Sequence, residues 1–202
     1  MWSVDAEFIV AMPKGVTPVT TVRSTLLHSS RSALTKRGLL ERYQLQIEPK
    51  YKAAVMETLA PEWLPLEVGL AHYRACDALG LSQAELEEIG AEVGAHLQGT
   101  FIGTLLRGAR SVGLTPWVPL AQFQRLKERL MQGGGVAVCK VGPKDATIDL
   151  RQIELFKHDY FRIAYCGVIA SAIKLGAGKS VRVQVVNGGG YDQRCVYKCS
   201  WV

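Results

Sequence analysis

Gly135-Val136-Ala137-Val138-Cys139-Lys140-Val141 is a strand-like run. Val141-Gly142-Pro143-Lys144-Asp145 then makes a turn, with proline at its second corner. Beyond the turn, Ala146, Ile148 and Leu150 point one way while Thr147, Asp149 and Arg151 point the other, the two-residue period of a strand. Asp159 to Leu175 reads as a helix, and Gly176-Ala177-Gly178 ends it. Val181, Val183 and Val185 alternate with Arg182 and Gln184, and the Asn187 to Tyr191 loop leads to a last strand. On that strand Cys195, Tyr197, Cys199 and Trp201 share one face. The order is β-β-α-β-β.

Working back from this unit, Gly133-Gly134-Gly135 breaks the chain and everything before it is helical in period, except a short β-prone run from Ala6 to Met12. Thr20 or Thr21 is placed to cap a helix reaching about Arg37, with Val22, Leu26, Ser29, Ala33 and Leu34 on one face and Gly38 as its stop. Leu39 to Leu45 adds a further turn or two. Pro49 to Leu59 and Leu66 to Leu79 are the next helices, Pro49 sitting at a first-turn position. Ser82 and Glu85 form a capping box that opens the longest helix, predicted to reach about Val112. Gly90, Gly94, Gly99, Gly103 and Gly108 interrupt it. Each costs a helix about 1 kcal/mol against alanine, so a close approach of another backbone is expected there. Pro116 or Pro119 starts a further helix through Met131.

These elements predict an α+β fold: a helical N-terminal half packed on one face of an antiparallel sheet. The expectation is a single domain over 1–202, with 1–132 the mainly helical layer and 133–202 the ββαββ sheet layer. The chain's 202 residues, 48% apolar and 21% charged, can bury a core without disulfide staples. Five cysteines cannot all pair within a monomer. The first residues lack the basic and apolar pattern of a secretory signal, and no uncharged apolar run nears the roughly 18 residues of a membrane span. The expected compartment is a reducing cytoplasm.

Chemical motifs are sparse. A Walker loop, a nucleophile elbow and a His-Glu-x-x-His helix are absent from the sequence, and Gly188-Gly189-Gly190 precedes strand-like sequence rather than a helix N-terminus. Cys166, Cys195, Cys199 and His158 could be a zinc set, but two cysteines four apart on a strand hold their thiols apart, and buried free thiols are the plainer reading. No metal and no cofactor is expected. His72 and Cys76 fall on one helical face without an oxyanion hole or an orienting acid, so no enzyme is expected, with Cys76 or Cys166 as the nucleophile if there is one. Lysine and arginine outnumber aspartate and glutamate by 24 to 18, a net charge of +6. Arg23, Arg31, Lys36, Arg37 and Arg42 cluster early, and Arg107, Arg110, Arg125, Lys127 and Arg129 form later groups. A nucleic-acid-associated protein is the alternative they leave open, against an ordinary solvated basic face. Tyr160-Phe161-Arg162-x-x-Tyr165 opens the last helix, and an arginine beside aromatic residues suits the anion end of an otherwise greasy ligand.

Cys166-Gly167, the strand Lys179 to Val186, the glycine loop and Cys195-Val196-Tyr197-Lys198-Cys199, in this element order, resemble the ligand-binding superfamily that includes the V4R sensor domains, the haem nitric-oxide domains and the transport-particle (TRAPP) subunits of Golgi trafficking. Glu67 to Ser82, Thr115-Pro116-Trp117, Gly142 to Ala146, Tyr160-Phe161-Arg162 and Cys199-Ser200-Trp201 are also similar to an uncharacterised family of myxobacterial proteins. The haem members of the superfamily need a proximal histidine and a Tyr-x-Ser-x-Arg clasp. This chain lacks the clasp, so haem is not expected. The superfamily implies a pocket between helices and sheet, dimerisation through helices, and sensing or scaffolding rather than turnover. The resulting expectation is a non-catalytic regulatory or scaffold protein that binds a small apolar ligand or a partner protein as a homodimer. Its pocket is expected between Phe101, Leu105, Trp117, Tyr160, Phe161 and Tyr165, with Arg162 as the polar anchor.

Overall fold

The computed structural model describes residues 7–59, 61–97, 99, 115–177, 180–189 and 193–202. The C-terminal unit forms one antiparallel sheet. Its strands are β1 (Glu7–Val10), β5 (Gly135–Gly142), β6 (Asp145–Arg151), β8 (Cys195–Trp201) and β7 (Val181–Gly188), in that spatial order. Both hairpins therefore share a sheet, and β1 joins it by pairing with β5. The inward set is the one the alternation marks. Ala146, Ile148, Leu150, Cys195, Tyr197 and Cys199 are all fully buried, with Val181, Val183 and Val185 half-buried beside them. Asp149 departs from the pattern: it points outward yet is buried, because Arg151 and Arg194 both donate to its carboxylate at 2.8–3.0 Å.

The helical layer comprises α1 (Ser24–Lys36), α2 (Leu40–Gln46), α3 (Pro49–Met56), α4 (Leu66–Asp77), α5 (Gln83–Leu97), α6 (Trp117–Ala121), α7 (Phe123–Glu128) and α8 (Asp159–Ala177). The capping box is formed: Glu85 accepts from the Ser82 backbone and hydroxyl at 2.8 and 2.6 Å. The predicted continuation of α5 beyond Leu97 lies largely outside the described residues.

Two expectations are corrected. The helix expected to begin at Thr20 or Thr21 starts at Ser24, because Thr21–Arg23 is β2, the middle strand of a three-stranded ribbon with β3 (Trp63–Pro65) and β4 (Met131–Gln132). The helix expected from Pro116 or Pro119 through Met131 is broken into α6 and α7. The chain leaves helical geometry at Gln122, whose N–H bonds back to the Pro119 carbonyl in a tight three-residue turn. Leu130 and Met131 then leave the helix for the ribbon.

Of the glycines expected to meet another backbone, Gly90 and Gly94 do, Gly99 has nothing within 4 Å, and Gly103 and Gly108 lie outside the described residues. α8 lies between the sheet and α5. A Cβ on Gly90 would stand 1.9 Å from the Ala164 carbonyl oxygen, one on Gly167 2.3 Å from the Ala91 nitrogen, and one on Gly94 2.6 Å from the Ser171 Cβ. The two helices meet main chain to main chain. Gly90→Ala is therefore expected to cost at least ~2 kcal/mol, since a packed backbone cannot give way as a side-chain tip can. Ala95→Ser, on the exposed face of the same helix, should stay within about 0.5 kcal/mol. Urea unfolding of the two variants checks the difference.

Candidate functional site

The N-terminal half of α8 carries the aromatic residues that the sequence singles out. Asp77, at the end of α4, fixes the start of this helix. It accepts from the Tyr160 backbone N–H at 2.8 Å and from His158 Nδ1 at 2.7 Å, so a carboxylate from a different helix caps α8. Tyr160, Phe161 and Tyr165 then pack inward with Tyr73, Phe156 and Tyr197. Tyr73 and Phe161 have ring centroids 4.7 Å apart, and Phe161 and Tyr165 5.3 Å. The polar tips are spent internally. The Tyr160 hydroxyl is 2.8 Å from Ser30 Oγ, and the Tyr197 hydroxyl donates to the Arg162 carbonyl at 2.9 Å. Burial pushes the phenols of Tyr73, Tyr160, Tyr165 and Tyr197 up, well above their ordinary range.

The greasy hollow expected between the layers is mostly filled by these rings. Two apolar cavities of about 20 Å³ each remain, with room for roughly a water-sized occupant. Leu26, Val93, Phe161 and Ala164 help line one. Phe123, Leu126, Leu130 and Ala172 help line the other. Tyr165 and Val168 belong to both walls and stand between them. A wider, open cleft of about 410 Å³ lies at the α8 N-terminus beside Asp77, Leu81, Leu86 and Asp159. Its two carboxylates are already engaged, Asp77 as above and Asp159 with Arg162.

Of the residues expected at the pocket, Tyr160, Phe161 and Tyr165 come together at the cavities, while Phe101 and Leu105 lie outside the described residues. Trp117 is set apart. It packs edge-on against Trp201 at 4.9 Å, near the far end of α8, where Gly176 touches Thr115. That is about 24 Å along the helix from Tyr160 at 1.5 Å per residue. Arg162 does not turn into the cluster either. It donates to the Phe156 carbonyl at 2.9 Å, pairs with Asp159, and lies against Gly189. Its place three residues after Asp159 puts it on the outer stripe of the helix, where it cannot anchor a ligand among the rings.

The residue that sequence reasoning missed is Lys127. It is only 1% exposed and takes part in lining the second cavity. In the sequence it is one cation of a basic helix, with nothing to mark it as internal.

The nucleophile candidates are deep and neutral. His72 Nε2 is 3.7 Å from Cys76 Sγ, and its Nδ1 is 2.5 Å from the Tyr43 hydroxyl. Burial first, then Arg31 and His158, lowers the His72 pKa to about 3, and burial holds the Cys76 thiol well above its usual range. Burial likewise pushes Cys166 up to about 12. All five cysteines are buried and none forms a disulfide. Among the described residues, no group of three metal-ligating side chains converges. The early basic cluster has internal employment. Arg23 stacks on Trp63, Arg31 donates to the Val55 and Met56 carbonyls, and Arg37 pairs with Glu88 and Glu92.

Solved structures carry the same architecture. An Fe(II) unliganded H-NOX protein from K. algicida is 9% identical, with a TM-score of 0.63, covering 89% of this chain and 96% of its own. An oxygen-binding H-NOX domain related to soluble guanylate cyclases is 10% identical, with a TM-score of 0.58, covering 88% and 94%. The chain has the fold of H-NOX domains. No family model matches it, and no curated protein does.

Other H-NOX structures of similar likeness concern haem and its distortion. The described residues do not leave room for a haem. An axial histidine must offer a free ring nitrogen over an apolar slot. His28 is bonded to Thr58 and Arg31, and His72 to Tyr43 and Cys76, through both ring nitrogens, and His96 lies exposed on α5; His158 is bonded to Asp77 through Nδ1 alone, its buried Nε2 having no partner. The two apolar cavities beside α8 are far smaller than a porphyrin.

Two measurements follow from the buried groups. Titration with a thiol reagent at neutral pH should find less than about one reactive cysteine in the native protein, and five once it is unfolded. His72 charges in the unfolded chain near pH 6.5, but in the folded chain only near pH 3. Its contribution to stability is therefore complete above pH 6.5 and lost as pH falls toward 3. At about 1.4 kcal/mol per pH unit, this one residue removes about 3 kcal/mol by pH 4. Denaturant unfolding of His72→Phe should show a correspondingly flatter acid limb.

Proposed function

We propose that this chain is a non-catalytic, cytoplasmic regulatory domain that holds a small apolar ligand in the paired cavities beside α8 and works as a homodimer. The observation that carries the reading is the pair of adjacent apolar voids that share Tyr165 and Val168 as their partition. Apolar voids stay dry, and one enlarged to about 150 Å³ accepts benzene or xenon, so a guest here enters by moving Tyr165 or Val168 aside and joining the two spaces. Both spaces lie beside the main-chain contact of α5 with α8. Support for a non-catalytic role comes from nucleophiles that burial keeps neutral. Support for the cytoplasm comes from five cysteines that form no disulfide. Dimerisation rests on the superfamily resemblance. The oxygen-binding neighbour is a small-ligand domain on the same frame. Among the described residues, no helix is long and apolar enough to cross a membrane.

Xenon or benzene, followed by methyl NMR, tests the reading. Resonances of Leu126, Leu130, Ala164, Val168 and Ala172 should shift in a saturable way, and Val168→Phe should abolish the effect by filling the partition from both sides. A spectrum blind to both probes removes the ligand reading. Native mass spectrometry reports the subunit number, and a monomer across micromolar concentrations removes the dimer.

A further inference from the structure

The two edges of the five-stranded sheet differ. At one, β1 has four described residues, and its Glu7 pairs with Lys140 of the neighbouring strand. Short edges that carry charge discourage pairing with another chain. At the other, β7 has eight residues, and β8 is its only strand neighbour among the described residues. The Val202 N–H bonds to the Ser180 carbonyl, so in this antiparallel ladder Arg182 and Gln184 turn their main-chain groups toward β8. The N–H and C=O groups of Val181, Val183 and Val185 therefore point away from the sheet. The side chains of these valines face the helical layer but stay half-buried, whereas Trp201, Cys199 and Tyr197, opposite them on β8, are buried. Arg182, on the other face, is the one charged residue of the strand. A bulge between Val185 and Asn187 ends the regular edge, which is thus the five residues Val181 to Val185.

We infer that β7 is the contact surface of the homodimer, its partner being β7 of a second copy, paired antiparallel about Val183 so that the two sheets become one. This rests on the dimer reading above and names its surface: a sheet edge, not the helices to which the superfamily resemblance points. The strand fixes its own register. With Val183 opposite Val183, each Val181 meets Val185 of the copy, and all the outward N–H and C=O groups of the five-residue edge find partners. Arg182 then stands opposite Gln184, a neutral acceptor. A slip of two residues one way sets Arg182 against Arg182, which like-charge repulsion disfavours. The same slip the other way carries Val181 past the bulge and loses its bonds. Residues opposite each other in such a pair point to the same face, so the half-buried valines of the two copies cover one another under both helical layers. An unrelated strand could make the main-chain bonds, but it would not bring this match of valine with valine and of Arg182 with Gln184.

Amide hydrogen exchange of the whole chain, read by NMR from low to high micromolar concentration beside native mass spectrometry, tests the inference. As the dimer fills, the amides of Val181, Val183 and Val185 are expected to exchange at least about tenfold more slowly. The amides of Arg182 and Gln184, bonded to β8 in either state, should change little. A dimer whose three valine amides exchange freely at every concentration would overturn the edge contact and leave the dimer standing. So would valine amides already protected in a monomer. A chain that stays monomeric throughout would overturn both readings. Val183→Pro gives a second readout. It removes an N–H that faces away from β8, a place where an edge strand tolerates proline, and should weaken dimerisation at least about tenfold while the monomer keeps its ladder. Dimerisation unchanged in that variant would also overturn the edge contact. The exchange comparison needs no variant, so a substitution that fails to fold does not decide the matter.

Discussion

The contact between α5 and α8 governs the rest of the molecule. Two helices whose side chains interdigitate ordinarily keep their axes 8–10 Å apart. Here Gly90, Gly94 and Gly167 remove the side chains at the crossing, so carbonyl and amide groups of one helix rest on those of the other. Each of those glycines weakens its own helix, and the loss is offset only while the partner is in place. The crossing therefore couples the two layers. α8 is held to the sheet through Tyr165, Tyr197 and the buried cysteines, and α5 is held to α1 through Arg37. Because the crossing is fixed by main chain, the space along the rest of α8 is fixed with it.

That rigidity explains the character of the site. The side chains beside the crossing are large and mostly aromatic, and their polar ends are satisfied at the edges: Tyr160 on Ser30, Tyr43 on His72, Tyr197 on the Arg162 carbonyl. Groups that could react, notably Cys76, are kept protonated by the same burial that makes the interior apolar. Stiff rings around a fixed crossing do not fill space completely, and the two residual voids on either side of Tyr165 and Val168 are what remains.

Likeness to H-NOX domains at 9–10% identity shows how far one frame can be refitted. Element order and sheet topology depend on periodicity, turns and small residues at crossings, which many sequences supply. What a frame holds depends on a few side chains facing the interior. In this chain the described interior is occupied by phenol and phenyl rings with a lysine at one margin.

Periodicity in the sequence determined the β-β-α-β-β unit, the inward face of each strand and the capping box at Ser82, because each depends on neighbours within a few positions. It also marked the α5 glycines as needing a close partner. It could not say which partner, since Ala164 and Gly167 are more than seventy positions away. The ribbon at Thr21–Arg23 escaped notice because three residues are too short to show a period, and their pairing strands come from Trp63–Pro65 and Met131–Gln132. The site divides the same way. Tyr160, Phe161 and Tyr165 were legible as an aromatic stripe on one helix. Only the packing of α7 against the triple-glycine loop decided that Lys127 is inside and that Arg162 is out, because burial of a charged side chain is a property of what surrounds it and not of the residue or its neighbours in the chain.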